Sequence, residues 1–319
     1  MHLIITFFFA LLVCWFISFP VVWILKVFRI GQNIRQEGPI SHLIKSGTPT
    51  MGGISIILTI VIFVVVLINI DIAVRYLALI LLFLMYAGLG FADDIIKIRK
   101  RQNQGLTARQ KLIFQILFAA FFVGVLVYEG HSSTVTGVLQ YLHFSNPWLY
   151  FPLGVFVIVG GANAVNLTDG LDGLATTTLF IAFSAFAFIA YQMQLADPGI
   201  IAATAAGGTL AFLWFNIYPA EVFMGDMGSM SLGALLSGLA VMLHKELAFA
   251  IIGGVFVLEA LSVMIQVGSY KLFRKKIFRM SPLHHHFELL GLSEPIVVLI
   301  FGVLALIFAA LGIWSSTYI

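Results

Sequence analysis

Five polar clusters interrupt an otherwise apolar chain, and each carries side chains able to handle phosphate or a divalent cation. In GFADDIIKIRKR, Asp93 and Asp94 stand side by side, and Lys97 follows Asp93 by four residues, on the same helix face. Adjacent carboxylates at a membrane interface repel, and a divalent cation or a protonated member relieves that. A solvated helix end with an ion pair is the plainer alternative. In GGANAVNLTDGLDGLA, the residues Asn163, Asn166, Asp169 and Asp172 recur every third position. That spacing drifts by about 60° per step on an unbroken helix, so the first and last would face opposite ways. Gly170 and Gly173 permit a break, and a loop there is expected to bring all four side chains to one polar site. In FNIYPAEVFMGDMGSMSLG, Asn216 closes a helix, Pro219 stops it, and Asp226 lies between Gly225 and Gly228. Ser229 reads as the N-cap of the next helix, an anion-friendly approach, and Phe223 either stacks on a flat ring or anchors the loop in lipid. In FRMSPLHHHFE, the neighbours His284, His285 and His286 point apart, so phosphate or hydroxyl contacts fit better than one zinc ion. In KSGTPTMGG, Lys45 precedes a Gly/Pro-punctuated turn that is not a Walker loop.

These clusters must be held by helices, because the segments between them are apolar runs of membrane-spanning length, roughly 20 residues. About ten such runs occur: Leu3–Leu25, Met51–Ile70, Ala73–Ala92, Gln110–Tyr128, Leu149–Val165, Leu174–Met193, Gly199–Phe215, Ser229–Leu243, Ala248–Gly268 and Pro295–Trp314. Alternate loops with their helix ends carry 15 of the 17 Lys and Arg residues; only Arg75 and Lys245 fall on the other side. The positive-inside rule puts the basic loops in the cytoplasm and both termini outside, which an even number of spans requires. The outer stretch Glu129–Trp148 is rich in β-formers and reads as a small extracytoplasmic hairpin. The chain reads as one all-α polytopic domain over residues 1–319, without linker or low-complexity segment.

Composition excludes several classes. Apolar residues make up 61% of the chain and charged ones 10%, against about 45–50% and roughly 25% in soluble domains. A net charge of +3 points to no nucleic-acid partner, and the single Cys14 supports neither an internal disulfide nor a cysteine zinc site. The first apolar run lacks a basic leader and a small-residue cleavage site, so it reads as a spanning helix rather than a signal peptide.

All five clusters fall on the basic, cytoplasmic side. Carboxylates with Lys and His nearby suit Mg²⁺ and phosphate, and phosphoryl transfer asks mainly for positioning and charge neutralisation. The residues therefore point to phosphotransfer at the membrane–cytosol boundary, with a lipid phosphate as one candidate substrate. A secondary transporter using Asp93, Asp94 or Glu259 as cation sites is the competing class, but transporter sites lie near the midplane rather than at one face. A scaffold needs none of these clusters.

Taken together, TPTMGG at Thr48–Gly53, FADDIIK at Phe91–Lys97, NAVNLTDGLDGLA at Asn163–Ala175, MGDMGS at Met224–Ser229 and PLHHHFE at Pro282–Glu288 resemble the polyprenyl-phosphate N-acetylhexosamine-1-phosphate transferases. The HHHFE run is similar to the branch that uses a muramoyl-pentapeptide donor rather than UDP-N-acetylglucosamine. The resemblance implies transfer of phospho-N-acetylmuramoyl-pentapeptide from UDP to undecaprenyl phosphate, giving lipid I and UMP in the first membrane step of peptidoglycan synthesis. It also implies Mg²⁺, ten helices in the bacterial inner membrane, a homodimer, and a cytoplasmic cleft blocked by nucleoside antibiotics. By motif position, it makes Asp226 the Mg²⁺ ligand and Asp93 the base for the lipid phosphate. Asp94 supports the metal, the phosphate or Asp93, or acts as a covalent nucleophile in a two-step route. Lys97 and Lys111 neutralise phosphate charge, and Asn163, Asn166, Asp169 and Asn216 orient the diphosphate or sugar. Gly170, Leu171, Asp172, Phe223 and Gly225 belong to the nucleotide side of the cleft, with Phe223 on uracil. Lys45, His284 and His285 contact the sugar-nucleotide or its phosphates.

Overall fold

The protein is described from a computed structural model covering residues 2–28, 45, 47–67, 74–100, 102, 104–130 and 147–318. Among the described residues the regular structure is entirely helical: α1 (His2–Val27), α2 (Ile54–Leu67), α3 (Val74–Lys100), α4 (Ala108–Tyr128), α5 (Pro147–Thr168), α6 (Leu174–Gln192), α7 (Ala196–Asn216), α8 (Gly225–Met242), α9 (Glu246–Ile252), α10 (Gly254–Phe273), α11 (Leu283–Leu289) and α12 (Glu294–Tyr318). Eight of them (α1, α3, α4, α5, α6, α7, α10 and α12) contain segments long and apolar enough to cross a membrane, and α2 is a shorter apolar helix. The hairpin expected between Glu129 and Trp148 falls mostly outside the described residues.

Small residues decide where the helices meet. Helix α8 is buried along most of its length and packs against α3 and α5. Its sequence GDMGSMSLGALLSGLAVM lets backbones touch: a Cβ on Gly53 would sit 2.5 Å from the Gly228 Cα, and one on Gly233 would sit 2.8 Å from the Ala162 Cα. In lipid, where apolar surface gains little from leaving its solvent, such close packing is what associates helices. The outer surface remains apolar, with Phe8, Trp23, Val65, Phe156, Trp214 and Leu299 all more than half exposed. That surface suits hydrocarbon and not water.

The start of α1 and the end of α12 lie at one end of the bundle. Leu3 is beside Gly199 at the start of α7, and the Thr317 hydroxyl donates to Gln192 at the end of α6. Lys26, near the other end of α1, pairs with Glu221 at 2.6 Å. Glu221 belongs to the α7–α8 connection, so that end carries the polar site.

Several boundaries differ from the sequence expectation, and the differences move the key residues. The third span does not stop at Ala92: α3 runs on to Lys100, which places Asp93 and Asp94 inside a helix. The segment IIKIRK contains no Gly or Pro, and an i,i+4 ion pair from Asp93 to Lys97 supports the extra turns. Helix α5 continues to Thr168, so Asn163 and Asn166 are helical and only Asp169–Gly173 forms the turn. Helix α8 begins at Gly225 rather than after Ser229, and Asp226 sits in its first turn. Gly225 takes φ +78°, a left-handed value that glycine adopts without strain, and it starts the helix there. Ser229 is therefore not an N-cap; its hydroxyl donates back to the Gly225 carbonyl. The ninth span is divided at Gly253 into α9 and α10.

Candidate active site

The carboxylate centre is assembled from α3, α4 and α8. Asp93, Asp94 and Asp226 each place an oxygen within 4.8 Å of the others. The Lys97 ammonium lies 2.8 Å from Asp93 Oδ2 and 3.0 Å from Asp226 Oδ2. The Lys111 ammonium lies 2.9 Å from Asp93 Oδ2 and 2.7 Å from Asp226 Oδ2. Lys111 is aimed by the first turns of α4, whose start is fixed by a capping box between Thr107 and Gln110. Asp93 Oδ1 accepts the Leu106 N–H at 2.6 Å, tying the α3–α4 connection to the same carboxylate. Three carboxylates against two ammoniums leave one negative charge, and all three acids are largely withdrawn from solvent. Asp93 Oδ2 accepts no well-aligned hydrogen bond despite its two ammonium neighbours. A hard-oxygen donor set with an underused oxygen fits Mg²⁺, which favours one or two carboxylates together with phosphate oxygens and water.

Asp94 has a second attachment. Its Oδ2 accepts the Met227 N–H at 3.1 Å, at the N-terminus of α8, where an anion is favoured. Asn166 reaches the same centre from α5, donating to Asp226 Oδ1 at 3.2 Å and to Ser229 Oγ at 2.9 Å.

The other members of the DGLDG cluster diverge rather than converge. Asn163 is paired with Gln115 of α4, donating to its Oε1 at 2.8 Å, so its amide is used between helices. Asp169, in the α5–α6 turn, has its carboxyl pushed up to about 8 by burial and by the charges of Asp226, Asp94 and Asp172. Asp172 turns the other way: its Oδ1 accepts from Lys45 at 2.7 Å and its Oδ2 from the Ala220 N–H at 2.9 Å. Helix α5 runs through Thr168, so Asn163 and Asn166 sit one turn apart on it, about 60° around the axis, and the offset sends one to Gln115 of α4 and the other to Asp226 of α8.

A second group lies around the α7–α8 connection. Asn216 is buried, and its Oδ1 accepts from Thr176 Oγ1 at 2.6 Å and from the Gly173 N–H at 3.2 Å. Its Nδ2 donates to the Val222 carbonyl at 3.0 Å, so it braces the two site loops. The TPTMGG segment is the backbone mate of Phe223: Phe223 N donates to Pro49 O at 2.8 Å, and Gly52 N donates to Phe223 O at 2.9 Å. That pairing fixes where the aromatic ring of Phe223 is presented. Leu171 is buried within the α5–α6 turn.

The histidines do not all point apart as expected: the rings of His284 and His285 meet edge to face with centroids 4.2 Å apart, while His286 turns to Phe278. His284 is 1% exposed and faces Gly170, where a Cβ would come 2.3 Å from His284 Nε2. Gly170 is thus required by close approach of the ring. Glu259 of α10, fully buried, holds the other side of His284, accepting its backbone N–H at 3.2 Å with Nδ1 at 3.3 Å. His285 Nδ1 lies 2.8 Å from Glu288 Oε2, and His286 Nδ1 accepts the Arg279 N–H.

Sequence reading passed over two partners. Gln115 sits in the apolar run of α4 with no neighbouring motif. Glu294 stands just before Pro295 at the start of a strongly apolar run, and an acid at a membrane boundary was the available signal. Its Oε1 lies 2.5 Å from Lys45 Nζ and 2.6 Å from the Asp172 N–H.

The sequence profile of glycosyl transferase family 4 matches residues 76–244, a stretch that contains Asp93, Asp94, Lys97, Lys111, the DGLDG turn and Asp226. The chain belongs to glycosyl transferase family 4. Curated relatives match this chain over nearly its whole length. The phospho-N-acetylmuramoyl-pentapeptide-transferase of Bacillus pumilus (strain SAFR-032) is 48% identical over 297 residues, 92% of each chain. That of Bacillus subtilis (strain 168) is 46% identical over the same length and shares. That of Oceanobacillus iheyensis is 45% identical over 316 residues, 98% of this chain and 97% of its own. Within glycosyl transferase family 4, this chain is therefore a multi-pass transferase, helical among its described residues, whose carboxylate centre lies at one end of the bundle.

Proposed function

We propose that the protein transfers phospho-N-acetylmuramoyl-pentapeptide from its UDP-linked donor to undecaprenyl phosphate, forming lipid I and UMP in peptidoglycan synthesis. The observation that carries this reading is the joining of three carboxylates and two ammoniums beside the Asp172 and Phe223 loops at one end of the bundle. The names of the curated relatives, 46–48% identical over 92% of the chain, supply the donor. In this reading ten helices cross the bacterial inner membrane, α2 and α8 joining the eight longer ones, with both termini outside and the site facing the cytoplasm.

The reaction forms one P–O bond and breaks one. A non-bridging oxygen of the lipid phosphate bonds to the phosphorus bearing the sugar. The bond from that phosphorus to the bridging oxygen breaks, and UMP leaves with that oxygen. Asp226, with Asp93 and Asp94 beside it, would hold Mg²⁺, which when bound supplies electrophilic neutralisation of the diphosphate oxygens. Lys97 and Lys111 add two ammoniums to the same place. With a divalent cation, the local charge passes from −1 to +1, from three acids, two ammoniums and one dication. That balance suits a site that must bring two phosphorylated reactants together.

Asp93 takes the proton of any monoprotonated lipid phosphate. Such help is modest near neutrality, because the second phosphate pKa is about 6. The attachment of Asp94 to the α8 N-terminus favours a positioning role over covalent attack. Phe223 stacks on uracil, with Gly170, Leu171, Asp172 and Gly225 shaping that side of the cleft, while His284 and His285 meet the sugar-nucleotide. A homodimer and inhibition by nucleoside antibiotics belong to the same reading.

The test offers purified protein, Mg²⁺ and undecaprenyl phosphate either UDP-N-acetylmuramoyl-pentapeptide or UDP-N-acetylglucosamine and follows UMP release. Turnover with the muramoyl donor alone is expected. Turnover with only the acetylglucosamine donor would overturn the assignment.

A further inference from the structure

Asp172 and Glu294, 122 residues apart, share the ammonium of Lys45, which lies 249 residues before Glu294. Lys45 Nζ lies 2.7 Å from Asp172 Oδ1 and 2.5 Å from Glu294 Oε1. The same Glu294 oxygen accepts the Asp172 backbone N–H at 2.6 Å. Asp172 passes the link onward through Oδ2 to the Ala220 N–H, in the connection that carries Phe223. The ring of Tyr218, from that connection, lies 5.8 Å from the Lys45 ammonium. Four separated parts of the chain therefore meet at one cation, and all three charged side chains are mostly buried, with exposures of 12%, 3% and 7%.

Glu294 is not occupied with its own helix. The first N–H groups of α12, those of Ile296 and Val297, turn back to the Ser293 carbonyl. A carboxylate buried at a helix start and not used to cap it has been committed elsewhere, and burying it is costly unless it is paired. Its two partners are Asp172, which the proposed function gives to the nucleotide side of the cleft, and Lys45, which the family resemblance places on the sugar-nucleotide.

We propose that Glu294 is a positioning residue for the nucleotide end of the donor: its carboxylate fixes the Lys45 ammonium against Asp172 and holds the Asp172 turn toward the Phe223 connection. This rests on the transferase reading. Two carboxylates on one ammonium leave a net −1, so Lys45 is held in place by its surroundings before any substrate arrives. Orientation set in advance lowers the ordering cost of binding. Glu294 acts through Lys45 and Asp172 and touches no reacting atom.

Glu294→Gln separates charge from shape, because the amide oxygen still accepts the Asp172 N–H while Lys45 loses one anion. The experiment measures UMP binding by calorimetry and steady-state kinetics in detergent with Mg²⁺, for wild type, E294Q, K45M and the double variant. E294Q should weaken UMP binding and raise KM for the UDP donor by about tenfold, with kcat and KM for undecaprenyl phosphate within about twofold. In the K45M background, E294Q should add less than about twofold, since residues acting as one unit are not additive. Unchanged UMP binding in E294Q, equal losses for both substrates, or full additivity with K45M would each overturn the proposal. Should E294Q fail to fold, Glu294→Asp keeps the charge on a shorter arm, and the same split between donor and lipid KM decides. Wild-type protein that binds no UMP would defeat the transferase reading itself, a result distinct from wild type binding UMP and E294Q matching it.

Discussion

Asp226 is the residue on which the carboxylate centre turns. Both ammoniums reach its Oδ2 and Asn166 reaches its Oδ1, so removing its charge changes what every neighbour answers. Asp226→Asn is expected to lower UMP release by at least about a hundredfold, in the range seen when a preorganised electrostatic group is lost. Its helix content and elution from a sizing column should match wild type. Near-normal Mg²⁺-dependent turnover in that variant would remove Asp226 from the metal assignment. Asp169 supplies a pH signature. Its carboxyl is raised from 3.8 to about 8 by burial and by the acids around it, so the folded state holds this proton where the unfolded chain has released it. Stability from this group is present below about pH 4 and is lost as pH rises toward about 8. In chelator-treated, Mg²⁺-free protein, the thermal midpoint of wild type should fall across that window, and Asp169→Asn should flatten the fall. An identical slope in both proteins would show that Asp169 does not titrate this way.

Among the elements, α8 sets the geometry, and it does so through what it lacks. Gly228 lets α2 come so near that a single methyl on Gly53 would have to overlap the Gly228 Cα. The backbone bonds from Gly52 and Gly53 to Phe223 and Met224 depend on that approach, and they seat the connection that presents Phe223. Gly53→Ala should therefore destabilise the protein by about 1–3 kcal/mol, the usual penalty of overpacking. It should also weaken UMP binding, and a lowered melting temperature together with a raised UMP dissociation constant is the expected pair of readings. A variant as stable as wild type would mean that α2 and α8 can move apart freely. Helix α3 shows a different principle. Its extra turns beyond Ala92 bring Lys97 back over Asp93, so the basic residues near its end serve the site as well as the topology.

For the whole molecule, the arrangement separates two ends. Residues near both termini contact the α6–α7 region at one end, while the carboxylate centre and the α7–α8 connection share the other with Lys26. In a Cys14→Ser background, a cysteine at the exposed position Glu221 should be labelled by a membrane-impermeant thiol reagent only from the cytoplasmic side. A cysteine at the exposed Met193 should be labelled only from outside. Labelling of both positions from one side would break the proposed topology and with it the cytoplasmic placement of the site.

Local signals were enough for part of this. Apolar runs and their lengths determined a helical membrane chain among the described residues, because hydrophobicity acts on each segment independently of its partners. The motifs also named the acids of the centre, Asp93, Asp94 and Asp226, since carboxylates beside apolar runs of membrane-spanning length are rare. Tertiary structure alone decided which charges share a partner: Lys111 with Asp226 across 115 residues, His284 with Glu259, and Glu294 with Lys45. It also decided that Asn163 serves Gln115 while Asn166 serves Asp226. The reason is physical: an ion pair is fixed by distance and burial in the packed bundle, and neither quantity is encoded by residue type at a single position.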